Sequence, residues 1–231
     1  MCYNILMYGT HAQQLFDELQ KHGIIGATGR ISVELLNVEC DVNEKSAVGD
    51  LLQEWLGAWM TEVGFYHRTG PNTQEFPDFY LGETDTADLL EVKSFNFNAT
   101  PAFDVANFDA YVRSVTEKAY RIDADYLIFG YTLTEHGLKV EQVWLKKIWE
   151  ITCPSEAYAL KTQNKQSKII NIRPYDFKNM SRGFQPFANR REFVEAIRLT
   201  LASYPMRTMP AQDWIEAVQT SYTGTRPGSS L

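Results

Sequence analysis

Two carboxylates and one ammonium group carry the most chemical information in this chain. Pro77-Asp78 is followed, after twelve intervening residues, by Glu91-Val92-Lys93. Both acids lie inside apolar runs, FPDFYL at 76–81 and ADLLEVKSF at 87–95. In an extended strand side chains alternate between faces, so Glu91 and Lys93 point one way and Val92 the other. If the two runs pair, Asp78, Glu91 and Lys93 meet at one spot. A charge buried among apolar side chains is costly unless it finds a partner. A hard divalent cation is such a partner: Mg²⁺ takes oxygen ligands and often uses only one or two protein carboxylates, completed by water and substrate phosphate. Lys93 would orient or help deprotonate the attacking water, or offset charge building on the phosphorane. The chemistry implied is metal-assisted hydrolysis of a phosphodiester. The same residues also suit a solvent-facing ion pair on a strand, with Asp78 in a turn, and the bare pattern does not separate the two.

The elements that must position these residues follow from periodicity. A helix is predicted over 11–22, with Leu15, Phe16 and Leu19 on one side, then a glycine-rich loop and an extended segment over 30–42 whose alternation breaks at Leu36-Asn37. A second helix, capped by Ser46, runs to about residue 63 with Leu51, Leu52, Trp55, Leu56, Trp59 and Met60 as its apolar stripe. The Asp78 and Glu91 runs read as two strands joined in hairpin fashion by the polar GETDTAD. A helix over 105–121, a buried strand over 125–133 and a strand from 138 that turns helical after Trp144 come next. The segment 161–168 reads as a polar, basic loop before a short strand at 169–172. A helix over 189–203 capped by Asn189, a last helix over about 210–220 and a disordered tail complete the order.

The motif resembles the PD-(D/E)XK signature of the restriction-endonuclease-like nucleases. The wider stretch FPDFYL…LLEVKSFNFNATPAFDVANFDAY is similar to type II restriction endonucleases of the NlaIV/NgoBV group. The resemblance is strongest over about 49–135. It implies an α/β fold with a central mixed sheet flanked by helices, Mg²⁺ held by Asp78 and Glu91, and Lys93 assisting the water. It further implies 5′-phosphate and 3′-hydroxyl products and the target GGNNCC. The family pattern often has another acid on the helix before the Asp78 strand, and Glu54 in GDLLQEWL fits that place, for a second metal or a water. On this basis residues 1–222 are one nuclease domain, with a catalytic core at about 46–135, a DNA-contacting region at about 139–207 and a flexible tail at 223–231. Cutting both strands of a palindrome calls for two copies about a two-fold axis, hence a homodimer. Other readings are a junction-resolving or repair nuclease of the same superfamily, a silent DNA-binding module, and an α/β protein whose triad is a buried ion-pair network.

Charge at first argues against a nucleic-acid partner. The chain has 231 residues, 22 Lys and Arg against 29 Asp and Glu, and a net charge of −7. The distribution is uneven: residues 1–138 carry a balance of −13, residues 139–207 a balance of +7. In the basic part, Lys161, Gln163, Asn164, Lys165, Gln166 and Lys168 have side chains suited to base edges. Arg173, Lys178, Arg182, Arg190 and Arg191 suit phosphates, the last two at a helix start. Asn96 and Asn98, just past Lys93, could reach the minor groove or the backbone. The hydrophobic share of 44% excludes a disordered chain. Three widely spaced cysteines form no disulfide framework or CxxC pair, and four scattered histidines form no zinc motif. With no secretory leader and no spanning segment evident, a cytoplasmic enzyme without membrane attachment is expected.

Overall fold

Leu15 and Leu19, four residues apart, and Val48, Leu52, Leu56 and Met60, at the same interval, are all buried, so both N-terminal helices turn one stripe inward. The structure, a computed structural model, describes residues 11–41, 48–72, 75–134, 137–179, 183–229 and 231. The expected cap Ser46 and the candidate phosphate contact Arg182 lie outside the described residues. The chain forms two compact units, 1–97 with 125–145, and 98–124 with 146–231.

The first unit holds α1 (His11–Lys21), β1 (Thr28–Gly29), β2 (Ser32–Leu35), β3 (Val38–Asp41) and α2 (Val48–Glu62). It continues with β4 (Phe79–Tyr80) and β5 (Leu89–Asn96). After β6 (Ala106–Asn107) and α3 (Phe108–Glu117), which belong to the second unit, come β7 (Asp125–Thr134) and β8 (Gly137–Lys147). The sheet has the order β1-β8-β7-β5-β4 and is mixed, with β4 antiparallel and β7 parallel to β5. The core places Leu15, Leu19, Leu52, Leu56 and Met60 of the helices against Leu90, Val92, Leu127 and Phe129 of the sheet. This is the mixed sheet with packed helices that the sequence predicts.

The second unit adds a 3-10 turn (Ala119–Asp123), α4 (Ile148–Ile151), β9 (Thr162–Lys165), β10 (Lys168–Ile172), α5 (Arg190–Ser203) and α6 (Ala211–Thr225). Phe108, Tyr111, Phe193, Ile197, Trp214 and Tyr222 are buried there. The Trp214 indole N–H donates to the Val112 carbonyl at 2.9 Å. Asn189 caps α5, its side chain accepting from Glu192 N at 3.1 Å.

Several boundaries differ from expectation. The segment 161–168 is not a loop: β9 pairs antiparallel with β10, turning at Gln166 and Ser167, both at positive φ. Its strand residues are polar because they are exposed, which hid them from a search for apolar alternation. The broken alternation at Leu36-Asn37 is likewise a hairpin turn with two positive φ angles. The third helix stops at Glu117, β8 stays extended to Lys147, and α6 continues to Thr225, into the segment read as tail.

Candidate active site

Gly57 lets α2 lie close against Phe79, the residue after Asp78. A Cβ on Gly49 would lie 3.4 Å from Ser94 Oγ, and one on Gly57 would lie 3.2 Å from the Phe79 ring. The pairing Phe79↔Leu90 and Tyr80↔Leu89 continues to set Asp78 opposite Glu91. Asp78 Oδ2 accepts a hydrogen bond from Val92 N at 2.7 Å, which pins the carboxylate over the Glu91–Lys93 segment. Lys93 Nζ donates to Glu91 Oε1 at 2.7 Å, as expected for neighbours on one strand face. The residue spacing therefore brings Asp78, Glu91 and Lys93 together.

The electrostatics of this cluster are unbalanced. Glu91 is only 8% exposed, and its Oε2 is buried with no hydrogen-bond partner among the described residues. Burial pushes the Asp78 carboxyl up to about 7, and the negative charge of Glu91 adds to the shift. The Val92 N–H and the Lys93 charge pull the other way without overcoming it. One ammonium cannot balance two carboxylates held this close. An orphaned carboxylate oxygen and a carboxyl reluctant to ionise both fit a hard divalent cation as the missing partner.

Among the described residues no group of three or more His, Cys, Asp or Glu side chains is gathered closely enough to hold a metal. Two protein carboxylates suffice for Mg²⁺ that keeps waters and takes phosphate. Glu54 is exposed on α2 and lines a cavity of about 240 Å³ with Gln53, His67, Thr69, Pro77 and Asp78. Asp50, one turn earlier on α2, was missed by the sequence reading. Its charge is felt at Asp78 and raises that carboxyl further. The available signal was its spacing of four from Glu54, which sets both acids on one helix face. The loop acids lie elsewhere: Asp85 pairs with Arg68 at 2.6 Å and Asp88 with His11 at 3.2 Å.

The candidate DNA contacts of the second unit divide into two groups. Five cations are tied to their own unit. Lys161 Nζ donates to Pro174 O at 2.9 Å and Lys178 Nζ to Ala99 O at 3.0 Å. Arg173 pairs with Asp104 and donates to Ala102 O. Arg190 pairs with Asp123 at 2.6 Å and stacks over Tyr222, and Arg191 Nε donates to Leu231 O at 3.2 Å. The β9–β10 hairpin presents Gln163, Asn164, Lys165, Gln166 and Lys168, all exposed. Gln163 also accepts from Asn171 and Asn164 from Thr162. Asn96 ends β5 and is half-buried, while Asn98 is exposed in the other unit.

The chain as a whole is similar to known proteins. The chain is 37% identical over 215 residues to the type II restriction enzyme NlaIV of Neisseria lactamica, covering 91% of this chain and 88% of that one. It is 38% identical over 163 residues to the type II restriction enzyme NgoBV of Neisseria gonorrhoeae, covering 69% and 92%. The solved NlaIV restriction endonuclease superposes with a TM-score of 0.88 at 35% identity, over 96% of this chain and 94% of that one. The NgoBV restriction endonuclease pattern matches residues 9–229. The chain therefore belongs to the NgoBV restriction endonuclease family and is a type II restriction endonuclease, which cuts DNA at a specific sequence.

Proposed function

We propose that this endonuclease hydrolyses duplex DNA with Mg²⁺ held by Asp78 and Glu91, working as a cytoplasmic homodimer on GGNNCC and leaving 5′-phosphate ends. The observation that carries the cation is the buried, unpartnered Glu91 Oε2 beside Asp78. A divalent cation bound there offsets charge on a phosphoryl oxygen and acidifies a bound water. Asp78 supplies a carboxylate oriented by Val92 N, and Glu91 supplies its free oxygen. Lys93, held 2.7 Å from Glu91 Oε1, orients the attacking water and steadies the charge that grows on the phosphorus group. Glu54 serves a second cation or a water in the cavity behind Asp78.

Recognition falls to the exposed hairpin, where Lys165 and Lys168 can donate to guanine O6 and N7 and the amide oxygens of Gln163, Asn164 and Gln166 can accept from cytosine N4. Lys161, Arg173, Lys178, Arg190 and Arg191, together with Arg182, Asn96 and Asn98, serve the phosphate backbone. Those with intramolecular partners present their remaining donors in fixed positions, which favours register over base readout.

Plasmid DNA carrying known GGNNCC sites, incubated with Mg²⁺ and then end-mapped, tests the reading. Discrete fragments ending inside GGNNCC, with ligatable 5′-phosphates, are expected. Fixed cuts at another sequence would overturn the assigned site, and undiminished cutting in excess chelator would overturn the cation.

A further inference from the structure

The ribbon made by β2 and β3 carries an apolar face that nothing among the described residues covers. Pairing sets Val33 opposite Cys40 and Leu35 opposite Val38, and alternation puts both pairs on one face. Ser32 opposite Asp41 and Glu34 opposite Glu39 occupy the other face. Arg30 pairs with Glu39 at 3.2 Å and Asp41 at 2.6 Å on that polar side. On the apolar side Val33, Leu35 and Val38 are 45%, 72% and 68% exposed, and Leu36 at the turn is 97% exposed. A lone two-stranded ribbon is marginal in water, so an amphipathic one needs a cover for its apolar face.

The same unit holds a recess with largely apolar walls. A cavity of about 380 Å³ is lined by Ile24, Ile31, Leu51, Leu52, Trp55 and Val140, among others. Ile31 belongs to both features, since it continues the alternation of Val33 and Leu35 and also lines the cavity. Leu51 and Trp55 on its wall are 38% and 39% exposed. One molecule thus offers an apolar projection and an apolar recess.

We propose that the occupant is a second copy of this chain, each ribbon tip seating in the other's cavity about a two-fold axis. This rests on the dimeric reading above and names the surface that serves it. A two-fold contact uses the same patch on both partners, and a patch with its own knob and hole satisfies that requirement. Duplex DNA is a poor occupant. Residues 30–41 carry one Arg against three acids, and the unit as a whole has 6 Lys and Arg against 18 Asp and Glu. Phosphates would be repelled, whereas an acidic outer face left in water does not oppose an apolar seam.

The test measures mass in solution by light scattering and sedimentation equilibrium on the full chain. The variants are Leu35→Glu with Leu36→Glu on the ribbon and Leu51→Glu on the cavity wall. All three positions are exposed, so the fold should survive, which circular dichroism checks. The wild type is expected at twice the chain mass at tens of micromolar. Both variants are expected at the single-chain mass, with dimer association weakened at least about a hundredfold. Variants that remain dimeric would overturn the surface while leaving the dimeric reading intact. A wild type monomeric both free and on DNA would overturn both. A full chain that stays monomeric while a variant lacking residues 1–10 dimerises would make that segment the occupant and overturn the proposal.

Discussion

Asp78 is held by opposing influences: its own burial, and after it the neighbouring Glu91 carboxylate, disfavour its charge, while the Val92 N–H and the Lys93 ammonium favour it. Burial and like charge prevail, raising its carboxyl from 3.8 to about 7. A folded-state value above the unfolded one means that the cation-free protein binds an extra proton between about pH 4 and 7. The associated stability is present below that window and is lost as pH rises through 7. Asp78→Asn removes the penalty. In chelator, urea unfolding should show the variant gaining about 1 kcal/mol on the wild type between pH 6 and pH 8. Added Ca²⁺ should then stabilise the wild type at pH 8 but not the variant. A wild type that gains stability on the variant over that rise would contradict the account. At this scale the triad was legible because strand alternation is short-range and strict. Asp50 was not, because its effect on Asp78 depends on how closely α2 lies on the sheet, which periodicity does not show.

At the scale of elements, the strand face that carries Glu91 and Lys93 continues to Phe95, which lies opposite Gly130 of β7. Trp144 of β8 stacks on Phe95 and Phe97 at centroid distances of 5.6 and 6.3 Å, over the space Gly130 leaves. A Cβ at Gly130 would meet Phe97 at 2.8 Å and Trp144 at 2.9 Å. Gly130→Ala should therefore cost about 1–3 kcal/mol in urea unfolding and change the tryptophan fluorescence, because ring atoms must move. An unchanged midpoint and spectrum would show that the stack yields freely. Elements with an apolar stripe, such as α2 and β5, were readable from sequence. The β9–β10 hairpin was not, since Thr162, Gln163, Asn164 and Lys165 have no inward apolar side to betray a strand. The pairing of Arg173 with Asp104 was equally hidden, because the two are brought together only by the fold.

For the whole molecule, the −7 divides along the structural units. Residues 1–97 and 125–145 carry a balance of −12, and the remainder carries +5. The net figure thus conceals an acidic unit hostile to phosphate and a basic unit that attracts it. Carboxylates left without a cation should repel the scissile phosphate, so DNA binding should be weak in chelator and tighten at least about tenfold in Ca²⁺. Equal affinity in the two conditions would contradict that view. Charge bookkeeping over sequence segments separated an acidic stretch, 1–138, from a basic one, 139–207, yet residues 98–124 of the first lie in the second unit. It could not mark where the boundary runs, because the chain leaves the first unit after Phe97 and returns at Asp125.

The central claim, that Asp78, Glu91 and Lys93 form the hydrolytic centre rather than a structural ion-pair network, is tested most directly by Lys93→Ala. Cleavage of a GGNNCC duplex in Mg²⁺ and binding of the same duplex in Ca²⁺ are measured side by side. The account predicts cleavage slowed by about a thousandfold or more with binding changed by less than about threefold. Cleavage at the wild-type rate, in a variant that binds normally, would contradict it.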